Sequence, residues 1–158
     1  MKKGRILNKE LNETIAGLGH TDLVIICDAG FPIPDHVKRI DLALQKDDPD
    51  IVKILELLIS DFIYEKVIVA EEQKKCNQPL YQKICALCDR CEVETIPHAD
   101  LIRQMPSQAK VIIRTGAFEP WGNVLLYSGV DAPRWFDKEG TVIPDYYEKR
   151  ANYQEKES

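Results

Sequence analysis

The chain has 158 residues and a mass of 18.1 kDa, which corresponds to one domain, with or without an appendage, and permits a sizeable apolar core. With 44% hydrophobic and 30% charged residues, the composition excludes intrinsic disorder for most of the chain. The formal charge of −5, without a basic stripe interleaved with aromatic residues, argues against nucleic acid as a partner.

No stretch of the sequence has the character of a membrane-spanning or export segment. The longest apolar runs, such as Leu23–Cys27, have the length of a strand and fall far short of the roughly 18 residues of a membrane helix. The basic N-terminus is not followed by an apolar signal core. The five cysteines form an odd number, which in a chain without an export signal is typical of reduced thiols. The expectation is a cytoplasmic protein without a membrane partner.

The N-terminal part of the chain predicts a helix, a buried strand and a rigid loop. Asn8 is placed to cap a helix whose apolar residues recur at helical spacing up to Gly19, where the helix would end. Leu23–Cys27 is a continuous apolar run rich in β-branched residues, typical of a strand buried on both faces. Residues 28–34 follow it, and their two prolines and one glycine predict a loop with a fixed course.

The rest of the chain alternates between strand-like and helix-like patterns. Such alternation predicts an α/β fold of three layers, with a largely parallel central sheet and helices on both faces. Pro49 suits the first turn of the helix that it would begin. The predicted strands are residues 37–44, 67–70, 93–96, 111–113 and 124–127, and the predicted helices are residues 49–62, 79–91 and 98–105.

The composition changes after Val130. Residues 131–158, here named the C-terminal arm, hold five of the twelve aromatic residues of the chain but no long apolar run. We predict a domain of residues 1–130 and a partly ordered arm of residues 131–158, with disorder at residues 154–158. Two interpretations of the arm remain open: its aromatic residues pack on a neighbouring subunit, or they cover its own domain.

Two segments next to the first predicted strand hold acid–base groups. His20 lies in a helix-to-strand turn, and an imidazole suits acid–base chemistry near neutral pH. Asp28 follows the carboxyl end of a buried strand, where α/β sheets form their ligand crevices. The competing interpretation of both residues is that they only stabilise turns.

Two later segments offer further groups for a ligand. His98 begins a short predicted helix, where an imidazole either hydrogen-bonds a ligand or serves as a cap or surface residue. Between the last two strands, Trp121 offers a flat apolar face, Gly122 permits close approach of the backbone, and Asn123 supplies a donor and an acceptor. An aromatic face with an amide and a carboxylate is typical of sugar sites, and the same residues are also typical of turns. His36 has no such context and is expected at the surface.

Three cysteines recur at intervals of three residues, at positions 85, 88 and 91. Their spacing is similar to that of iron–sulfur ligands, although no fourth cysteine follows at the right distance. In one continuous helix the three thiols would lie along one face, where cysteine packs as a small apolar residue. Cys27 is expected in the core and not as a nucleophile. Because the chain also lacks a phosphate-binding glycine loop and a nucleophilic serine motif, it indicates proton transfer or simple binding, with no metal and no cofactor.

Several motifs occur in a fixed order along residues 1–130: Leu18-Gly19-His20-Thr21-Asp22, Cys27-Asp28-Ala29-Gly30-Phe31-Pro32-Ile33-Pro34, Arg39-Ile40-Asp41-Leu42-Ala43-Leu44, Glu71-Glu72, and Val111-Ile112-Ile113-Arg114-Thr115-Gly116 with Asn123 and Gly129-Val130. With this order and spacing, the chain resembles the D-ribose pyranase and fucose mutarotase family, its ribose branch more than its fucose branch. The first two motifs are the most specific.

The resemblance implies an isomerase built as a ring-shaped homo-oligomer, typically a homodecamer, of α/β subunits with sites at the subunit boundaries. It implies metal-free and cofactor-free interconversion of the cyclic forms of a free monosaccharide, with D-ribose as the default substrate. His20 falls on the catalytic histidine of the family, and Asp28 and His98 fall on its sugar-binding positions. Residues 121–123 fall on its Tyr-Ala-Asn segment, so the backbone and Asn123 are retained.

Two positions depart from the family pattern, which usually has Glu in place of Ala117 and Tyr in place of Trp121. An indole N–H only donates a hydrogen bond, whereas a phenol donates and accepts. The leading hypothesis is a mutarotase that exchanges pyranose, furanose or anomeric forms, in which His20 protonates the ring oxygen and Asp28 holds His20 or a sugar hydroxyl. The alternative, favoured by the two departures, is a non-catalytic sugar-binding ring that is regulatory or linked to transport; a metal–thiolate protein is a third.

Overall fold

The structure, a computed structural model, describes residues 2–154. In this range the chain alternates between strands and helices, as the sequence predicts. The strands are β1 (Leu23–Cys27), β2 (Lys38–Asp41), β3 (Tyr64–Ala70), β4 (Val93–Ile96), β5 (Val111–Arg114) and β6 (Val124–Ser128). The α-helices are α1 (Lys9–Ala16), α2 (Ile51–Ile59), α3 (Glu71–Cys76), α4 (Gln78–Leu87), α5 (His98–Gln104), α6 (Ala132–Phe136) and α7 (Glu148–Ala151), with single 3₁₀ turns at Pro106–Gln108 and Asp145–Tyr147.

The six strands form one sheet in the spatial order β2-β5-β1-β6-β3-β4. The pairs β2–β5, β5–β1 and β3–β4 are parallel, and β6 is antiparallel to both of its neighbours. Five strands therefore point the same way, which confirms the predicted largely parallel sheet; the sequence does not predict that β6, near its centre, is reversed. The register places Val124 beside Ile26, so β6 begins where β1 ends.

Two apolar cores lie on the two faces of the sheet. β1 is buried along its whole length, and its side chains alternate between them: Ile26 belongs to the first core and Ile25 to the second. Helices α1, α2 and α4 cover the first core, to which α2 contributes the fully buried Leu55. Helix α5 and the loop after β1 cover the second core with Leu101 and Phe31. This arrangement confirms the predicted three-layer α/β fold.

The first two long helices begin at polar caps but differ in detail from the prediction. Asn8 caps α1 as predicted, yet the helix ends at Ala16, and its C-cap is Gly17 instead of Gly19. Asp50 caps α2, because its carboxylate accepts a backbone N–H of the first turn at 2.8 Å. Pro49 therefore precedes the helix and does not occupy its first turn.

The segment between β3 and β4 departs most from the prediction. The sequence does not predict α3, because Glu71–Cys76 has no apolar periodicity. Helix α4 ends at Leu87, with Cys88 as its C-cap and Cys91 beyond it. The prediction of one continuous helix through the three cysteines is therefore wrong. Among residues 2–154, no group of three or more His, Cys, Asp or Glu side chains is arranged to hold a metal ion.

The described part of the C-terminal arm contacts the domain from which it extends. Within the arm, Tyr147 packs edge-on against Phe136 and Tyr146, and its ring centroid lies 5.8 and 5.3 Å from theirs. The hydroxyl of Tyr153 donates to Asp89 in the domain at 3.0 Å. Of the residues predicted to be disordered, 155–158 lie outside the described residues. Within residues 2–154, none of the helices has the length and apolarity needed to cross a bilayer.

Candidate functional site

The ends of β1, β3 and β4 meet the beginning of β6 at one side of the sheet, here named the carboxyl edge. Asp28 follows β1 and Asn123 precedes β6, and the Asn123 Oδ1 accepts the backbone N–H of Asp28 at 3.2 Å. Asn123 is fully buried, and its Nδ2 has no hydrogen-bond partner among the described residues. An unsatisfied buried donor costs roughly 1–3 kcal/mol, so this amide is suited to a ligand oxygen.

Trp121 and Gly122 form a tight turn just before Asn123. Trp121 has a φ of 54°, in the left-handed region that non-glycine residues seldom adopt. A Cβ on Gly122 would lie 2.7 Å from the Cβ of Glu119, so only glycine fits at this position. The half-buried indole of Trp121 packs on the second core. The turn therefore holds the aromatic ring and the amide in a fixed relation.

Helix α3 and its C-cap residue hold this turn through two amide side chains that the sequence analysis does not single out. The fully buried Gln73 donates from Nε2 to the carbonyl of Trp121 at 2.6 Å and lies 3.4 Å from that of Asn123. Asn77, four residues later, donates to the carbonyl of Pro120 at 3.1 Å. Two amides four residues apart, directly after a buried strand, are the signal in the sequence that could have identified them. The Gln73 Oε1 has no partner among residues 2–154.

His98 lies at the carboxyl edge as the first residue of α5. Its backbone N–H donates to the Glu72 Oε2 at 2.9 Å. Hydrogen bonds from the backbone N–H groups of Glu72 itself and of His98 hold the pKa of the Glu72 carboxyl below its ordinary value. The His98 Nδ1 is buried and has no partner among the described residues. The backbone of His98 is thus fixed while its ring keeps a nitrogen for a ligand.

His20 lies at the opposite side of the sheet. It precedes β1, whereas Asp28 follows β1, and five residues of strand at about 3.3 Å each separate them by about 16 Å or more. Within one chain Asp28 therefore does not hold His20. Asp28, His98 and residues 121–123 all lie at the carboxyl edge, whereas His20 does not.

Glu65, which the sequence analysis does not single out, is the partner of His20. Its Oε1 lies 2.9 Å from the His20 Nε2, and its Oε2 lies 3.2 Å from the Arg150 Nη1 in the C-terminal arm. The Glu65 side chain is 12% exposed and that of His20 is 38% exposed. The imidazole is therefore held on one side and accessible on the other, as a group that exchanges protons with a ligand requires.

Three other residues from the sequence analysis are not counted among these site residues. His36 is exposed, as expected. Cys27 is fully buried, and burial followed by the charge of Asp28 raises the pKa of its thiol, which excludes a nucleophilic thiolate near neutral pH. Ala117, at the position where the family usually has Glu, is 1% exposed in the first core.

Comparisons with known proteins identify the relatives of this chain. The model of the RbsD / FucU transport protein family matches residues 1–131. D-ribose pyranase 2 of Rubrobacter xylanophilus is 50% identical over 151 residues, 96% of this chain and 98% of the relative. D-ribose pyranase 1 of Streptomyces griseus is 47% identical over 147 residues, 93% of this chain and 97% of the relative. The structure of Bacillus subtilis RbsD complexed with D-ribose superposes with a TM-score of 0.78 at 40% identity, covering 82% of this chain and 98% of that one.

Proposed function

Since this chain belongs to the RbsD / FucU transport protein family, we propose that it is a mutarotase that interconverts the cyclic forms of a free monosaccharide, with D-ribose as the first candidate. Relatives named D-ribose pyranase and a similar structure that binds D-ribose support this substrate class. The observation on which the proposal rests is a set of three buried polar atoms without partners among residues 2–154, all at the carboxyl edge. They are the Asn123 Nδ2, the Gln73 Oε1 and the His98 Nδ1.

The sugar would lie at the carboxyl edge. The Asp28 carboxylate, the His98 ring and the Asn123 amide bind its hydroxyl groups, which have both donors and acceptors. Trp121 stacks on the apolar C–H face of the sugar ring, and Gly122 lets the backbone approach it. Because the orphaned polar atoms are fixed by backbone and helix contacts, binding requires little reorganisation.

The reaction consists of two proton transfers, one to the sugar and one from it, so that the sugar gains no net proton. Protonated His20 gives its proton to the ring oxygen as the bond from that oxygen to the anomeric carbon breaks. A base or water takes the proton of the anomeric hydroxyl, so that an aldehyde forms. Closure by another hydroxyl, or on the other face of the aldehyde, returns both protons and gives a different ring form. A positioned acid–base group contributes about 10²–10⁴-fold, which suits a reaction that already proceeds in water.

Two copies of the chain would complete each site, because His20 lies at the opposite side of one subunit from Asp28, His98 and residues 121–123, here named the sugar-binding group. His20 of one copy then faces the carboxyl edge of the next, as in the ring-shaped homodecamer that we propose. The proposal further assigns the sugar chemistry to residues 1–130, treats residues 131–158 as an appended arm, and places the protein in the cytoplasm.

Saturation-transfer NMR tests this function directly. Exchange between the ring forms of ribose, fucose and other aldoses is measured with and without the protein. We expect acceleration for ribose or a closely related sugar and a loss of about 10²-fold or more in His20→Ala. His36→Ala, which removes an exposed histidine that is not among the proposed site residues, is the matched control. Equal exchange with and without protein for every sugar, or full activity in His20→Ala, would contradict the proposal.

Sugar binding without catalysis is the second candidate, and the indole of Trp121 favours it. An indole donates but does not accept, so Trp121 cannot relay a proton as a phenol can. This alternative predicts ribose binding without exchange, and exchange newly created by Trp121→Tyr. Ala117→Glu is not a suitable companion change, because it would place a carboxylate in the first core without a partner.

A further inference from the structure

We infer that the C-terminal arm positions the catalytic histidine through an ion pair between Arg150 and Glu65, an assignment that rests on the proposed mutarotase function. Arg150 is a positioning residue, since it acts on His20 only through Glu65. Neither the acid–base chemistry nor the sugar-binding group at the carboxyl edge requires the arm.

The two oxygens of Glu65 face in different directions. Oε1 lies 2.9 Å from the His20 Nε2, and Oε2 lies 3.2 Å from the Arg150 Nη1. Oε2 is buried and accepts no hydrogen bond of good geometry within residues 2–154, so the charge of Arg150 offsets its burial. A carboxylate held at both oxygens has one orientation, and that orientation directs Oε1 at His20.

The arm is itself anchored to the domain, which keeps Arg150 in place. The hydroxyl of Tyr153 donates to Asp89 at 3.0 Å, and the guanidinium of Arg90 lies 4.3 Å from the centre of the Tyr153 ring. The Arg150 guanidinium also lies 5.2 Å from the centre of the Tyr147 ring. An open pocket of about 520 Å³ lies between the arm and the domain, and Arg150 is among the residues that line it. The arm therefore meets the domain beside the His20 partner.

The relatives differ in whether they extend this far. The family model ends at residue 131, before Arg150. The alignment with the Rubrobacter xylanophilus relative leaves only seven residues of this chain uncovered, so it includes most of residues 132–158. The Bacillus subtilis structure covers 82% of this chain. The arm is thus an addition to a domain that is complete without it in some relatives. We therefore expect the arm to change the rate of the reaction and not to be essential for it.

The expected effect follows from the exposure of the groups. The Arg150 side chain is 43% exposed, and an ion pair of this kind changes a rate only a few-fold. Without Arg150, Glu65 turns between several rotamers and His20 spends less time in the productive orientation. This loss lowers kcat and leaves KM unchanged, because the sugar is bound by residues of the carboxyl edge.

Variants of the arm test the assignment in the full-length protein. Arg150→Met is expected to lower kcat about two- to five-fold at constant KM, and Arg150→Lys to retain most of it. Lys149→Met removes the neighbouring positive charge from the same helix and is the matched control, expected to behave as wild type. In a Glu65→Gln background, Arg150→Met is expected to have no further effect, because Arg150 acts only through that carboxylate.

A second readout does not depend on catalysis. The chain has three histidines, so the NMR signals of the His20 ring are identified by their loss in His20→Ala. Arg150→Met is expected to shift the His20 ring signals and leave those of His36 and His98 in place, whereas Lys149→Met shifts none. Unchanged His20 signals, or an unchanged kcat in a protein that exchanges ribose, would overturn the assignment. Absence of exchange for every sugar would instead overturn the proposed function, and the ring signals would still decide whether the arm holds His20.

Discussion

Two neighbouring residues of α3 each hold one segment of the candidate site. Glu72 binds the backbone of His98, and the buried amide of Gln73 binds the turn at Trp121. Replacing Gln73 with Leu removes the side-chain donor to the carbonyl of Trp121, which then keeps only the backbone N–H of Asn123 at 2.8 Å. We expect the free energy of unfolding to fall by about 0.5–1.5 kcal/mol and KM for the sugar to rise, since the turn before β6 loses one of its hydrogen bonds. Urea unfolding and exchange kinetics measure the two effects. Gln82→Leu, at an exposed position of α4, is the control, and an equal effect of both substitutions would contradict this role.

The carboxylate of Glu72 provides a test by pH. Its pKa is lower in the folded protein than the ordinary value near 4.5, because its own N–H and that of His98 bind the charged form. A lowered pKa means that the stabilisation is complete above the unfolded-state pKa and is lost as the pH falls through the folded-state value. Glu72→Gln is therefore expected to lower Tm at pH 7, with a difference from wild type that shrinks below about pH 4.5. A Tm difference that stays constant between pH 7 and pH 3.5 would contradict this origin.

At the scale of elements, the strands were the most predictable part of the fold. β1, β5 and β6 are continuous apolar runs, because each is buried on both faces, and such runs are visible in sequence. Helix α3 was not predictable in this way, since its sequence is almost wholly polar and it begins directly at the end of β3. Its one buried side chain, Gln73, holds a turn that is 48 residues away in sequence. Contacts of this length cannot be inferred from local periodicity.

The end of α4 at Leu87 predicts the order in which the cysteines react with an alkylating reagent. Cys88 caps the helix and is buried in the first core, Cys27 is buried in the second core, and Cys76 is exposed at the end of α3. Burial raises the pKa of Cys88 to about 12 and that of Cys91 to about 11, with nearby charges contributing less. Iodoacetamide at pH 8 is therefore expected to modify Cys76 first and to reach Cys27 and Cys88 only in denaturant, as read by peptide mass spectrometry. Rapid modification of Cys88 in the native protein would contradict the packing of this helix end.

At the scale of the whole molecule, the sequence predicts which residues lie at the carboxyl edge better than it predicts the partner of His20, the proposed acid. The rule that ligands bind beyond the carboxyl ends of strands identifies Asp28, and the resemblance to the family supplies His98 and Asn123. His20 and Asp28 flank the same strand, so their separation could also be predicted from sequence once β1 is recognised. The ion pair between Glu65 and Arg150 could not be predicted, because it depends on how the arm folds back onto β3.

That separation predicts sites shared between copies, which mixed assemblies can detect. His20→Ala and His98→Ala are each expected to be inactive or nearly so when assembled alone. The two variants are co-expressed with different tags, and the mixed assemblies are purified through both tags. In an equal mixture half of the copies have His20 and the other half have His98. A site that takes His20 from one copy and His98 from another therefore has both residues intact in about a quarter of cases. About a quarter of the wild-type exchange rate should therefore return.

The control for this mixture is His20→Ala assembled with the double variant His20→Ala/His98→Ala, in which no copy has His20 and no activity should return. A site built within one chain would behave differently, because every chain of the test mixture lacks one of the two residues. Full inactivity of doubly tagged, assembled mixtures would then show that His20 acts on a sugar held by its own subunit, against the distance that β1 imposes.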